Sequence, residues 1–214
     1  EQIMDNIDFS IDGNGNAYML AKVYDSEKRK ELDKETGKAG YHYEVLKFTK
    51  DSKKVINTTI EIEDYFIRVA TLVENSLHDM VISCTYSKKS KGSGTDGIFL
   101  AIMGQDGKIN KFKKGYYEFP LEELEKFESA RSKRKMERKK DYEAPDLSVR
   151  NILVEADGSV FIALEEYYVV TTTYTDSRGR TTTSTTYYYE DMLGAKINAS
   201  GNFEWLRKVP KKQR

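Results

Sequence analysis

Asp157-Gly158-Ser159-Val160-Phe161-Ile162-Ala163-Leu164 sets a tight polar turn against an uninterrupted apolar run, and the chain makes this step three times. It recurs where Asp12-Gly13-Asn14-Gly15 leads into Asn16-Ala17-Tyr18-Met19-Leu20-Ala21, and where Glu74-Asn75-Ser76 precedes Asp79-Met80-Val81-Ile82-Ser83-Cys84. After an excursion of variable length each run is answered by a second apolar segment. These are Glu44-Val45-Leu46-Lys47-Phe48, Ile98-Phe99-Leu100-Ala101-Ile102 and Met192-Leu193-Gly194-Ala195-Lys196-Ile197. Further polar turns follow at residues 50–53, 105–108 and 198–202. Asp, Asn, Ser and Gly supply the positive φ and the local side-chain bonds that hairpin turns require. Each unit therefore reads as four antiparallel strands, and the units span residues 5–66, 67–146 and 147–210.

Two strands per unit are apolar on both faces, so each small sheet should be covered on both sides. Four-stranded sheets stacked face to face around an axis meet that demand. On this repeated pattern of turn, strand, excursion, strand and turn, the chain resembles the β-propeller superfamily over nearly its full length. The Trp-Asp signature of one propeller family is missing, since Leu206 follows Trp205, and so is the paired glycine of the kelch type. Propellers close with about four to eight blades. Three blades form a partial propeller, which implies either a longer chain or some other cap on the end blades. The third unit carries Tyr167-Tyr168-Val169-Val170-Thr171-Thr172-Thr173-Tyr174 and ends on Trp205-Leu206-Arg207-Lys208-Val209-Pro210-Lys211-Lys212-Gln213. In these stretches it is similar to a group of long, uncharacterised exported proteins of Gram-negative bacteria, whose chains continue past this point. That likeness implies a bacterial cell envelope location, periplasm or cell surface. The alternative all-β architecture is a two-sheet β-sandwich, which a dozen short strands would also fill.

Composition narrows the function classes. The 214 residues hold 35 Lys and Arg against 35 Asp and Glu, so no net basic charge drives counterion release from nucleic acid. A single cysteine, Cys84, forbids an intrachain disulfide and leaves the redox compartment unread. The longest apolar run, Ile98 through Met103, is six residues, against about 20 for a membrane-crossing helix. The first residues have neither a basic start nor an apolar stretch of signal-peptide type, and position 1 is Glu1, not Met. That start fits a matured chain or a piece of a longer one.

The third unit's excursion predicts a long hairpin: out through residues 165–174, a turn at Asp176-Ser177-Arg178-Gly179, and back through residues 181–189. Both arms are dense in Thr, Tyr and Val, which suit a pleated surface. Tyr168, Tyr174 and Tyr187 with Arg178 and Arg180 are the candidate binding residues, because Tyr and Arg are the enriched anchors of recognition surfaces. A helical insertion is expected at about residues 119–141, opening at Pro120 with acids in its first turns. It runs into a basic stretch, residues 131–140 from Arg131 to Lys140, with seven Lys or Arg and one acid. The stretch lacks interleaved aromatics for base stacking. The first excursion, residues 25–40, alternates charge and reads as a loop or short helix.

Chemistry is harder to find. Gly92-Ser93-Gly94-Thr95-Asp96-Gly97 matches a dinucleotide fingerprint in letters, but it precedes a strand where the mechanism requires a helix N-terminus. Asp12-Gly13-Asn14-Gly15-Asn16 begins like a calcium loop, yet Ala17 and Val23 occupy its glycine and glutamate positions. His42 and His78 lack ligand spacing. Cys84 lies inside an apolar strand, where it acts as a small hydrophobe. Carboxylates cluster at Glu61, Glu63 and Asp64, at Glu165 and Glu166, and at Glu190 and Asp191, the raw material of a glycosidase pair. No catalytic residue, cofactor or metal is assigned. The expectation is a non-catalytic binding or scaffold module whose partner is a protein or the remainder of a longer chain. A carbohydrate-active or sugar-binding propeller is the alternative, with a glycan as ligand.

Overall fold

The computed structural model of the chain describes residues 3–63, 65–90, 94–126, 133 and 147–213. Twelve strands are found among them, grouped as three four-stranded antiparallel meanders. The first sheet is β1 (Met4–Ile11), β2 (Ala17–Tyr24), β3 (Tyr41–Phe48) and β4 (Val55–Ile60). The second is β5 (Phe66–Glu74), β6 (Met80–Ser87), β7 (Gly97–Met103) and β8 (Ile109–Glu118). After α1 (Leu121–Leu124) the third follows as β9 (Leu147–Val154), β10 (Val160–Thr175), β11 (Thr181–Ile197) and β12 (Phe203–Val209). No strand pairs across a unit border within these sheets, so the all-β class and the three four-stranded antiparallel sheets read from the sequence are the ones observed.

One five-residue turn is used six times. In each copy the N–H of the first residue donates to the carbonyl of the fifth, and the N–H of the fourth donates to the carbonyl of the first. The copies run over residues 12–16, 75–79, 104–108, 155–159, 176–180 and 198–202. The fourth position needs φ > 0, and glycine fills it at Gly15, Gly107, Gly158, Gly179 and Gly201, with His78 at φ 63 the exception. Where the first residue is Asp or Asn, its Oδ1 accepts from the N–H groups of the third and fifth residues, as Asp12 does from Asn14 and Asn16. Asp12 is buried, which alone would raise its pKa. Bonds from the Asn16 side chain and backbone and from the Tyr18 hydroxyl outweigh that and hold it at about 2.

The shared turn puts the three units in register: Ala17, Met80 and Val160 each open a second strand, and Phe48, Met103 and Ile197 each close a third. Two apolar layers form between the sheets. Tyr18, Leu20, Tyr43 and Val45 of the first sheet pack with Leu72, Met80, Ile82, Phe99 and Ala101 of the second. The opposite face of the second sheet sends Ile98, Leu100 and Phe112 against Ile152, Ile162, Leu164 and Leu193 of the third. The middle sheet is thus covered on both faces, and every residue of β6 is buried. The first strands of the sheets adjoin in succession, β1 on β5 and β5 on β9.

Of the two forms expected for residues 25–40, loop or short helix, the structure shows the loop. Residues 25–40 form no helix: the chain turns back on itself through a Leu32 to Ala39 bridge, tied down by Lys22 to Glu31 at 2.6 Å and Arg29 to Asp5 at 2.9 Å. Both ion pairs run from the excursion back to the first two strands, Glu31 to Lys22 of β2 and Arg29 to Asp5 of β1, and hold it against the sheet. Of the helical insertion, the described part is α1 and the turn after it. Most of the basic stretch from Arg131 to Lys140 lies outside the described residues.

Candidate binding site at the projecting hairpin

The long hairpin forms where the sequence placed it. Strand β10 pairs with β11 from Val160 opposite Ile197 to Thr175 opposite Thr181. Flanking strands stop short of this length. The last pair with β9 is Glu166 with Leu147, and the last with β12 is Met192 with Val209. Beyond them residues 167–189 make a two-stranded ribbon, and nine residues per arm at about 3.3 Å each give it a reach of about 30 Å. Its base carries one further bridge, between Tyr189 and Gln213. Side chains from Tyr168 to Thr175 are exposed, so this ribbon is not core.

The candidate residues are not brought together. Tyr168 and Tyr174 lie on one face of the ribbon, in line with Val170 and Thr172. Tyr187, opposite Val169, lies on the other face. On that second face three threonine pairs run toward the tip: Thr171 with Thr185, Thr173 with Thr183 and Thr175 with Thr181, with Oγ1 atoms 3.2 to 3.4 Å apart. On the first face Tyr168 stacks on Tyr188, rings 4.8 Å apart, and its hydroxyl donates to Glu190 at 3.3 Å. At the tip Asp176 accepts from the backbone N–H groups of Arg180 and Arg178, which hold its carboxyl below the ordinary range against a smaller effect of burial. The Arg180 Nε also donates to Asp176, at 3.2 Å. Arg180 is therefore engaged within the turn, whereas the Arg178 side chain is exposed.

Spacing along the chain did not reveal what anchors this arm. At its base Glu165 of β10, nearly fully buried, accepts from Arg150 Nε of β9 at 2.7 Å and pairs with Lys211 of the tail after β12. The Lys211 bond pulls the Glu165 carboxyl below its ordinary pKa, burial opposes this, and Arg150 adds to the lowering. The Arg150 guanidinium also sits 5.1 Å from the Tyr167 ring and 5.8 Å from that of Tyr189. Lys208 Nζ meets Asp191 at 2.9 Å. Charges from three separated segments thus fix the two tyrosines from which the ribbon departs.

One carboxylate of each cluster is held in an ion pair. Glu63 is held by Lys111 at 3.0 Å, Glu165 by Arg150 and Lys211, and Asp191 by Lys208. Asp64 lies outside the described residues. A cleft of about 460 Å³ opens between the edges of the first two sheets, and Glu61 is the single carboxylate among the residues that line it. Among the described residues no group of three His, Cys, Asp or Glu is placed to hold a metal ion, and no helix is long and apolar enough to cross a membrane. No protein-family profile matches the chain, and comparison with the curated proteins finds no match.

Proposed function

We propose that this chain is a non-catalytic binding or scaffold module of a bacterial envelope protein or assembly, and that it contacts a macromolecular partner through its loops and the Tyr/Thr-rich arm. The observation that carries the reading is the ribbon of residues 167–189. Each arm has a run of β-forming residues without charge, and beyond the bridge at Tyr189 the outer edges of both strands are open among the described residues. An open strand edge offers a row of unpaired N–H and C=O groups, and proteins normally blunt such edges with charge or proline. Tyr167 through Thr175 contains neither. Strand addition by an extended partner segment would use those edges, while Tyr168 and Tyr174 on one face and Tyr187 on the other would select side chains. The propeller-type arrangement is supported by the meander order and by first strands that adjoin in succession. The envelope assignment rests on the likeness of the third unit to exported proteins.

The test compares retention of components of an envelope extract by the wild-type chain and by a chain in which residues 171–185 are replaced by Asn-Gly, a two-residue turn that closes the shortened hairpin. Retention of a polypeptide that the shortened chain and the triple variant Tyr168→Ser, Tyr174→Ser, Tyr187→Ser both lose is the expected result. Identical retention by all three chains, or retention of oligosaccharide alone, contradicts the proposal.

A further inference from the structure

Among the described residues the stack of three sheets has two uncovered faces, and they are the two halves of the contact that the chain already makes twice within itself. The six-fold use of one turn makes positions comparable between units. Phe9 of β1, Leu72 of β5 and Ile152 of β9 hold the same place, each in the third pair counted from the turn. Leu72 and Ile152 are 5% and 3% exposed because each faces the preceding sheet, whereas Phe9 is 55% exposed. Around it lie two cross-strand rows, Phe9, Met19, Leu46 and Asn57, then Ile11, Ala17, Phe48 and Val55. Phe9, Ile11, Phe48 and Val55 are all exposed.

At the other end the third sheet presents Leu153, Phe161, Lys196 and Trp205 in one row, and Asn151, Ala163, Gly194 and Arg207 in the next. Leu153 is 60% exposed. In the first sheet the same positions are Ser10, Tyr18, Lys47 and Ile56, then Asp8, Leu20, Val45 and Thr58, and that face is covered by the second sheet. Two polar ties fasten that internal contact. Asp8 accepts from Leu72 N at 2.8 Å and from the Thr71 hydroxyl at 2.6 Å, and Lys47 Nζ donates to the Gln105 carbonyl at 2.8 Å. Asn151 and Lys196 stand on the uncovered face at the positions of Asp8 and Lys47. Lys196 is paired there with Glu204 at 3.1 Å, and the Phe9 N–H donates to Asp8 Oδ1 at 2.8 Å, so each of the two ties would form by exchanging a partner within the chain for one across the contact.

We infer that the third sheet of one chain packs on the first sheet of a second copy, and the reverse, so that two chains form a closed head-to-tail dimer of six sheets. The interface continues the internal stack by one step, with Lys196 exchanging Glu204 for the carbonyl of Lys50 and the Phe9 N–H exchanging Asp8 for the side-chain oxygen of Asn151. Six sheets fall within the range in which such rings close, and a twofold pair is the commonest closed assembly.

The test has two parts on the chain as it stands. Sedimentation or light scattering should give twice the 24.7 kDa chain mass, and Phe9→Glu or Leu153→Glu should return it to the mass of one chain. A wild-type mass of one chain, or an open series of larger species, overturns the inference. Under mild oxidation the double variant Phe9→Cys with Asn151→Cys should give a reducible dimer on denaturing gels, and neither single variant should. Cross-linking by either single variant means like faces meet, and also overturns it. The buried Cys84 does not take part.

Discussion

Replacing Glu165 by Gln tests whether the base of the arm is fixed electrostatically. The substitution keeps the shape and removes the charge that Arg150 and Lys211 share. Removing one partner of a fully buried ion pair costs about 3–5 kcal/mol, because the remaining charge is stranded. Here the Arg150 and Lys211 side chains are 39% and 25% exposed, so water takes up part of that loss. The expected cost is about 1–2 kcal/mol at pH 7, or roughly 2–8 °C in Tm for a chain of this size. Glu165 has a lowered pKa in the folded protein, so its contribution is complete above the unfolded glutamate value of about 4.3 and disappears as pH falls through the lowered one. Urea unfolding of wild type and Glu165→Gln between pH 7 and pH 2.5 reads this directly. The two curves should converge at the acid end, and amides near Tyr167 and Tyr189 should exchange faster in the variant at pH 7. Glu61→Gln, at an exposed site, should stay within about 0.5 kcal/mol of wild type. Equal stability of Glu165→Gln and wild type at pH 7, or a gap that persists unchanged in acid, would refute the reasoning.

Asp12→Ala removes the acceptor of four bonds and strands the buried Tyr18 hydroxyl, at an expected cost of about 1–3 kcal/mol by urea unfolding. With its pKa held at about 2, Asp12 should keep stabilising the wild type until pH falls well below 4, so the Asp12→Ala deficit persists to lower pH than that of a surface carboxylate. Leu100→Ala, in the layer between the second and third sheets, should cost about 2–5 kcal/mol in the same assay. Cys84 is fully buried, and burial pushes its thiol up to about 12, so a thiol reagent should label it only as fast as the chain unfolds.

Much of the fold was legible because its signal is local. Five of the six shared turns place Gly where φ must be positive, and the apolar runs that follow them mark the strands of the two buried layers. The hairpin was legible for the same reason: Thr, Tyr and Val on both sides of Asp176-Ser177-Arg178-Gly179 leave few other solutions. What its residues do in concert was not legible. Register shifts between Glu165 and Tyr167, so simple alternation counted from the buried run does not carry into the ribbon. The anchoring of the arm was hidden more deeply. Arg150, Glu165 and Lys211 come from the first strand, the second strand and the tail of the third unit, and only the sheet brings them together. For residues 25–40 the alternating charge left loop and short helix both open, and the loop forms around a bridge between Leu32 and Ala39 that no local pattern marked.

That the arm stands outside the folded stack is the claim on which the binding account depends. Unfolding of the chain with residues 171–185 replaced by Asn-Gly measures it most directly. The free energy of unfolding should stay within about 1 kcal/mol of wild type, since a two-stranded ribbon contributes little by itself and none of the apolar layers is touched. A loss of several kcal/mol, or failure of the shortened chain to fold while Glu61→Gln folds normally, would mean that the ribbon is part of the core and would contradict the account.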